Sequence, residues 1–425
     1  MNSAAHAPAG PEIMACHDCG LVHHVWPLRA GGAASCTRCG AVLYRHKPDS
    51  IDRTLMLTLA ALIMFVVANS FPFLTFKLEG RATTSTLMTG VIQLYRDGMW
   101  PLAALVFGAT ILVPLAKLLA TVYVLLPLRL GRRIPGLAPV FRATEIMHPW
   151  AMMEVFLLGV IVAYVKLSDL ATLELGIALY AFIALILIMI AAEVALDPRE
   201  VWDRLGRQAA TRSLTGKDSG FLVSCHACDQ ICRVARGGHA RCPRCGAALH
   251  KRKPHSLART WALVIAACIL YIPANVLPVM TVTSFGQGEP DTILSGVKVL
   301  IAAGMWPVAL LVFFASITVP VLKIVAMVFL LISVQRRSRW RPRDRTVLYR
   351  VVESVGRWSM VDIFMISILV ALVNLGAIAS ILPGPGAIAF AAVVILTMIA
   401  AMTFDPRLIW DAQESSRDEH QAVHA

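Results

Sequence analysis

A helix-length apolar segment occurs twice in this 425-residue chain, as GMWPLAALVFGATILVPLAK from Gly98 to Lys117 and as GMWPVALLVFFASITVPVLK from Gly304 to Lys323. Each copy opens on Gly-Met-Trp-Pro, carries a second proline sixteen residues after the glycine, and places a lysine three residues later. A proline in the first helical turn is tolerated because its missing N–H would have no intrahelical partner, and tryptophan favours a membrane–water boundary. Each copy therefore reads as a bilayer-crossing helix that starts at an interface and holds one cation inside an apolar run.

The same offset, 206 to 208 positions, relates Cys36/Cys39 to Cys242/Cys245, Asn69 to Asn275, Gly90 to Gly296, Arg142 to Arg350, Glu154 to Asp362 and Asp197-Pro198 to Asp405-Pro406. So many landmarks in one order make the chain a tandem duplication of a module of about 200 residues, with a pseudo-two-fold axis along the membrane normal. At 57% hydrophobic residues and a mean hydropathy of +0.69, it is too apolar for a soluble globule. Apolar runs at Leu55–Leu74, Met99–Leu128, Trp150–Leu167 and Ala171–Leu196, then Trp261–Met280, Met305–Val334, Trp358–Leu382 and Ala387–Phe404, predict eight spans. The first run lies behind a cysteine-rich segment, which does not resemble a cleavable signal peptide.

Arginine and lysine concentrate before the first span, between spans two and three, between four and five, and between six and seven, where Arg336, Arg337, Arg339, Arg341, Arg343 and Arg345 cluster. The positive-inside bias then places both termini in the cytoplasm. The net charge of +13 lies mostly beside membrane spans, so anionic lipid and topology account for it and nucleic acid is not expected as a partner.

Two pairs of Cys-x-x-Cys knuckles precede the two membrane modules: Cys16, Cys19, Cys36 and Cys39 in the first half, Cys225, Cys228, Cys242 and Cys245 in the second. Four thiolates at this spacing are the ligand set of a zinc ribbon, which predicts two Zn2+ per chain. A rubredoxin-like iron centre uses the same four thiolates and stays open as a second reading. Disulfides are disfavoured on the reducing side. Of the remaining cysteines, Cys268 reads as a small core residue and Cys232 as a surface thiol. Gly follows the second cysteine in three of the four knuckles (Gly20, Gly40, Gly246), and Asp229 stands at the fourth.

Within the membrane, Lys117 lies twelve residues before Arg129 and Glu154 twelve after Arg142, roughly 18 Å from the arginines at helical rise. Lys323 and Asp362 repeat the arrangement, which predicts a Lys–carboxylate pair within each module. Thr110 and Ser316 share a helix face with the lysines. Such a pair is either a structural lock between two helices or a group that changes protonation during transport. Glu193, with no acidic counterpart in the second module, reads as interfacial, and Trp202 and Trp410 read as interface anchors. After the first span of each module, the sequence predicts a short hairpin and an amphipathic helix on the outer surface.

No Walker lysine loop, Gly-x-Ser-x-Gly elbow, His-Glu-x-x-His or dinucleotide glycine fingerprint occurs, so enzyme chemistry is not expected. Two modules, each a Cys-x-x-Cys ribbon followed by four spans, with Gly-Met-Trp-Pro opening the second span and Asp-Pro-x-x-x-Trp closing the fourth, resemble the paraquat-inducible protein A family. The resemblance covers residues 14 to 412. It implies an inner-membrane subunit of an envelope lipid-trafficking machine that passes phospholipid to a periplasm-spanning MCE-domain tunnel partner, and a tetraspanin-like four-helix fold in each membrane module. The expected organisation is a disordered N-terminus (1–13), a zinc ribbon (14–50), a membrane module (51–203), a linker (204–220), a second ribbon (221–256), a second membrane module (257–411) and a disordered tail (412–425), in an all-α polytopic protein with small β elements. A redox or metal-sensing membrane protein with iron or exchangeable thiols is the competing reading.

Overall fold

The computed structural model describes residues 12–26, 28–29, 31–78, 81–132, 134–168, 172–206, 220–235, 240–284, 287–302, 304–373 and 379–413. Most of the N-terminal segment expected to be disordered, most of the linker and most of the tail lie outside these residues; within them, Glu12 and Ile13 already belong to a strand.

The first half begins with hairpins β1 (Glu12–Ala15) with β2 (Val22–Val25) and β3 (Ala33–Ser35) with β4 (Val42–Arg45). Then come α1 (Ser50–Ser70), β5 (Leu74–Leu78), β6 (Arg81–Ser85), α2 (Leu87–Arg96), α3 (Trp100–Phe107), α4 (Val113–Arg129), α5 (Leu137–Met147), α6 (Met153–Ser168), β7 (Thr172–Leu175), α7 (Ile177–Ala195) and α8 (Pro198–Gly206). The second half repeats the order with β8 (Gly220–Ser224), β9 (Ile231–Ala235), β10 (Ala240–Arg241), β11 (Ala248–Leu249), α9 (Ser256–Val276), β12 (Met280–Ser284), β13 (Gln287–Asp291), α10 (Ile293–Ala302), α11 (Trp306–Phe313), α12 (Val319–Gln335), α13 (Pro342–Val355), α14 (Val361–Leu372), β14 (Ala379–Pro383) and α15 (Pro385–Thr403). Among the described residues, eight helical segments are long and apolar enough to cross a membrane, four in each half.

Neither the second nor the third span is a plain α-helix, and local chemistry says why. Pro114 and Pro320 lack the N–H that would bond the preceding turn, so the second span widens into a π-helical turn just ahead of each, at Gly108–Leu112 and Phe314–Thr318. There the Val113 N–H reaches back five residues to Gly108 O, and Val319 to Phe314 O. Thr110 and Ser316 sit inside these turns and donate their hydroxyls to Val106 O and Val312 O, at 2.7 and 2.6 Å. The third span is broken in mid-membrane by a 3-10 turn, at His148–Trp150 in the first module and Gly356–Met360 in the second. Pro149 accounts for the first break; at the second a glycine stands at the start of the turn.

On the face away from the cysteines the expected hairpins form, and each gains a third antiparallel strand from the connection between spans three and four, giving orders β6-β5-β7 and β13-β12-β14. Phe76 pairs with Thr83 on one side and Leu173 on the other. The third strands were not legible as such. The amphipathic helix α2 starts where its capping box requires, with Thr89 Oγ1 accepting from the Thr86 N–H at 2.9 Å.

The two modules meet on α14, which is buried at every one of its 12 positions. It crosses α6 where Gly159 allows close approach: a Cβ there would lie 3.0 Å from Phe364 Cβ and 3.1 Å from the Met365 nitrogen. Gly90 on α2 lets a second helix of the first module approach, since a Cβ there would lie 2.8 Å from Ser367 O. Phe156 stacks edge-on against Phe364 at 5.5 Å and against Phe182 at 5.6 Å, carrying the aromatic core across the junction.

Candidate metal centres and intramembrane polar sites

Among the described residues, two groups could hold a metal ion, and they are the eight cysteines of the four knuckles: Cys16, Cys19, Cys36 and Cys39, and Cys225, Cys228, Cys242 and Cys245. All are buried. Sulfur separations of 3.5 Å for Cys16–Cys39 and Cys19–Cys36, and of 3.4 and 3.5 Å for Cys225–Cys245 and Cys228–Cys242, are near the edge of a tetrahedron of thiolates about 2.3 Å from a central metal. They are far from the roughly 2.05 Å of a disulfide. Without a cation such a cluster cannot hold four thiolates: the Cys19 thiol's hydrogen bond draws Cys16 down to about 5, while burial pushes Cys39 up to about 11. The donor set fits a divalent metal.

Each knuckle closes through the amide that follows its second cysteine, which donates to the carbonyl of the first: Gly20 to Cys16, Gly40 to Cys36, Asp229 to Cys225 and Gly246 to Cys242, at 2.9–3.0 Å. That residue is left-handed in all four, with φ of 75, 73, 53 and 71°. Glycine takes this conformation freely, and Asp229 is the one residue there with a Cβ to accommodate. Beyond the eight cysteines, His23 Nε2 lies 3.2 Å from Cys36 Sγ. Cys232 is 2% exposed in the core around the second cluster, so it is not a surface thiol, and Cys268 is exposed on a span and not a core residue.

The cysteine units pack crosswise. The first cluster shares a hydrophobic core with Met327, Leu331, Tyr349, Phe404 and Trp410 of the second membrane module. The second cluster shares one with Leu55, Leu125, Phe141 and Trp202 of the first. Polar contacts repeat the exchange: Arg350 donates to Asp18 Oδ2 at 2.6 Å and to Cys39 O and Sγ at 3.3 Å, while Arg142 donates to Cys245 O at 3.4 Å. Arg38 covers the Trp410 ring at 4.4 Å, and Arg244 donates to Trp202 O at 3.0 Å. Trp202 and Trp410 are thus each 3% exposed beneath a cysteine unit, a correction to their reading as membrane-interface anchors. Each unit keeps a tether to its own module as well, through Lys47 to Leu196 O and Lys253 to Met402 O, both at 2.7 Å.

In the membrane, equal helix depth misassigns the partner of Lys117. Lys117 forms its ion pair with Glu193 on α7, with His148 Nδ1 at 3.2 Å from its ammonium nitrogen, while Glu154 is exposed in the first turn of α6. The break at Pro149 starts α6 at Met153 and puts Glu154 in that helix's first turn, while Glu193, in the last turn of α7 with its side chain 35% exposed, keeps its place near the end of the span and pairs with Lys117 there. In the second module Lys323, 2% exposed, donates to Thr397 Oγ1 at 2.9 Å and Gly356 O at 3.3 Å. Asp362, 6% exposed, lies just past the Gly356–Met360 turn and lines a cavity of about 40 Å3. Ser316, Gly296, Asp291 and Thr292 line it too, so the cavity runs from the mid-membrane carboxylate toward the face away from the cysteines. It has room for about three or four waters, at about 10–15 Å3 each. Thr110, the counterpart of Ser316, is 1% exposed in its own π turn. Thr397 and His148 were not singled out from sequence: a hydroxyl and an imidazole in or beside an apolar run carry no mark of the lysine they meet.

The family model for paraquat-inducible protein A matches residues 51–206 and 257–414, the two membrane modules. The chain is 35% identical over 424 residues to the intermembrane transport protein PqiA of Escherichia coli K12, covering 97% of this chain and 99% of that protein. It is 34% identical to lipophilic envelope-spanning tunnel protein A of the same organism, covering 95% and 92% of the two chains. To a probable intermembrane transport protein of Haemophilus influenzae it is 30% identical, covering 94% and 96%. No solved structure matches this chain.

Proposed function

Because the chain belongs to the paraquat-inducible protein A family, we propose that this multi-pass membrane protein is an inner-membrane subunit of an envelope lipid-trafficking system. It passes phospholipid between the inner membrane and a periplasm-spanning MCE-type partner. The observation that carries this reading is nearly full-length similarity to proteins named for intermembrane transport and for an envelope-spanning tunnel. The arginine-rich segments all lie on the cysteine face, which supports placing that face and both termini in the cytoplasm. The three-stranded sheets then face the periplasm, where a tunnel partner would dock.

In this reading the two cysteine clusters hold zinc, which folds units too small to have a core of their own. Asp362 exchanges a proton through its cavity with the periplasmic side, and Lys323, held by Thr397 and Gly356 O, senses that charge through the turn between them. The test is to purify the chain from native membranes and identify the co-purifying lipids and proteins by mass spectrometry. Enrichment of phospholipid together with an MCE-domain protein is expected; the chain recovered without either would reject the reading.

A further inference from the structure

The two halves of the molecule share a pattern that the duplication alone does not require. In the second module, α13 carries Arg350, which grips the fourth cysteine of the first unit through Cys39 O and Sγ, and six residues further on it ends at Gly356, whose carbonyl accepts from Lys323. In the first module, α5 carries Arg142, which donates to Cys245 O of the second unit, and six residues further on stands His148, whose Nδ1 contacts Lys117. Both arms therefore run from a cysteine unit to the intramembrane lysine of the module belonging to the other half. Six residues of helix span about 9 Å, and a helix that short transmits displacement with little bending. Each arm then ends at a 3-10 turn, the place where a span gives most easily.

We propose that Arg350 and Arg142 are positioning residues that couple each cysteine unit to the opposite module: the folded first unit fixes the break in the third span beside Lys323, and the folded second unit fixes the break beside Lys117. The coupling uses three features. The guanidinium of Arg350 is anchored twice, by Asp18 Oδ2 at 2.6 Å and by Cys39, so its helix follows the unit's position. The cores under each unit, with Tyr349 and Val352 of α13 against the first cluster and Phe141 of α5 against the second, hold the arm along its length. The fold of the unit itself depends on its metal, so metal occupancy of one half is read at the lysine of the other. This last step rests on the zinc assignment proposed above; the arginine coupling does not.

The test is amide hydrogen exchange on the full chain in nanodiscs, with metal content measured on the same samples. With Cys36→Ser, one metal per chain is lost and exchange over residues 350–362 rises about tenfold or more, while residues 142–154 stay at the wild-type rate. Cys242→Ser gives the mirror result. With Arg350→Gln both metals are retained and exchange over 350–362 still rises, and Arg350→Lys restores part of the protection. Exchange rising at the break of the same half as the lost cluster, or equally at both breaks, overturns the crosswise coupling. So does an Arg350→Gln chain with wild-type exchange over 350–362. If Cys36→Ser leaves the metal content unchanged, the metal assignment fails alone, and the Arg350→Gln result still decides the coupling.

Discussion

Lys117 on the second span meets Glu193 on the fourth, 76 positions away, and not the carboxylate at matching depth on the third. Removing one member leaves a charge in an apolar surrounding, which costs about 3–5 kcal/mol for a fully buried pair. Because the Glu193 side chain is 35% exposed, the figure is discounted to about 1–2 kcal/mol. Glu193→Gln should lower the melting temperature in detergent, the double variant Lys117→Met/Glu193→Gln should recover it, and Glu154→Gln should change it little. Equal effects of Glu154→Gln and Glu193→Gln would reject the assignment.

Metal removal separates the cysteine units from the spans. Cys36→Ser leaves three thiolates at the first site, so elemental analysis should show one metal per chain in place of two, with the spans still inserted because their backbone hydrogen bonds are internal. Purified wild-type chain should be colourless with zinc; iron absorbance would favour the redox reading.

The equivalent glycines Gly90 and Gly296 should respond in opposite ways. A Cβ at Gly90 would lie 2.7 and 2.8 Å from Ser367 Oγ and O, whereas at Gly296 nothing lies within 4 Å. Gly90→Ala should therefore destabilise by about 1–3 kcal/mol through overpacking against α14. Gly296→Ala should be neutral or stabilising, by up to about 1 kcal/mol, since a helical glycine gives way to alanine. It should nonetheless slow transport, because it narrows the cavity at Asp362. Thermal unfolding of the two variants side by side checks this, and a Gly296→Ala chain less stable than Gly90→Ala would contradict the packing described.

Membrane-impermeant thiol reagents test orientation. Cysteines introduced at Thr84 and Pro290 should label in intact spheroplasts, and one at Ser338 only after lysis. Labelling of Ser338 in intact spheroplasts would invert the topology.

The sequence was most informative where chemistry repeats at a fixed spacing. Gly-Met-Trp-Pro and the knuckles of Cys16 and Cys225 revealed the duplication, the spans and the two four-cysteine groups that could hold a metal, because each motif answers to a local requirement such as an interfacial helix start or a left-handed turn. What stayed hidden depends on which helices touch. Arg350 was legible as a topological charge but not as the residue that grips Cys39, since the halves exchange their cysteine units and sequence order suggests the opposite. Glu193 looked unmatched because duplication symmetry was applied to a site where the modules differ: the second module answers with Thr397 and a backbone carbonyl. The break at Pro149 was visible and its consequence for Glu154 followed from it, but the break at Gly356 has no proline to mark it.

We propose that the chain passes phospholipid between its membrane and a periplasmic MCE-type partner through the polar groups around α14. The most direct measurement reconstitutes it in vesicles with labelled phospholipid and follows transfer to a purified MCE-domain partner. Wild-type chain should raise transfer well above protein-free vesicles, and the double variant Lys323→Met/Asp362→Leu, checked for folding by its melting temperature, should fall to that background. Full transfer by the folded double variant would reduce Lys323 and Asp362 to a structural role, and wild-type transfer no greater than that of protein-free vesicles would contradict the account.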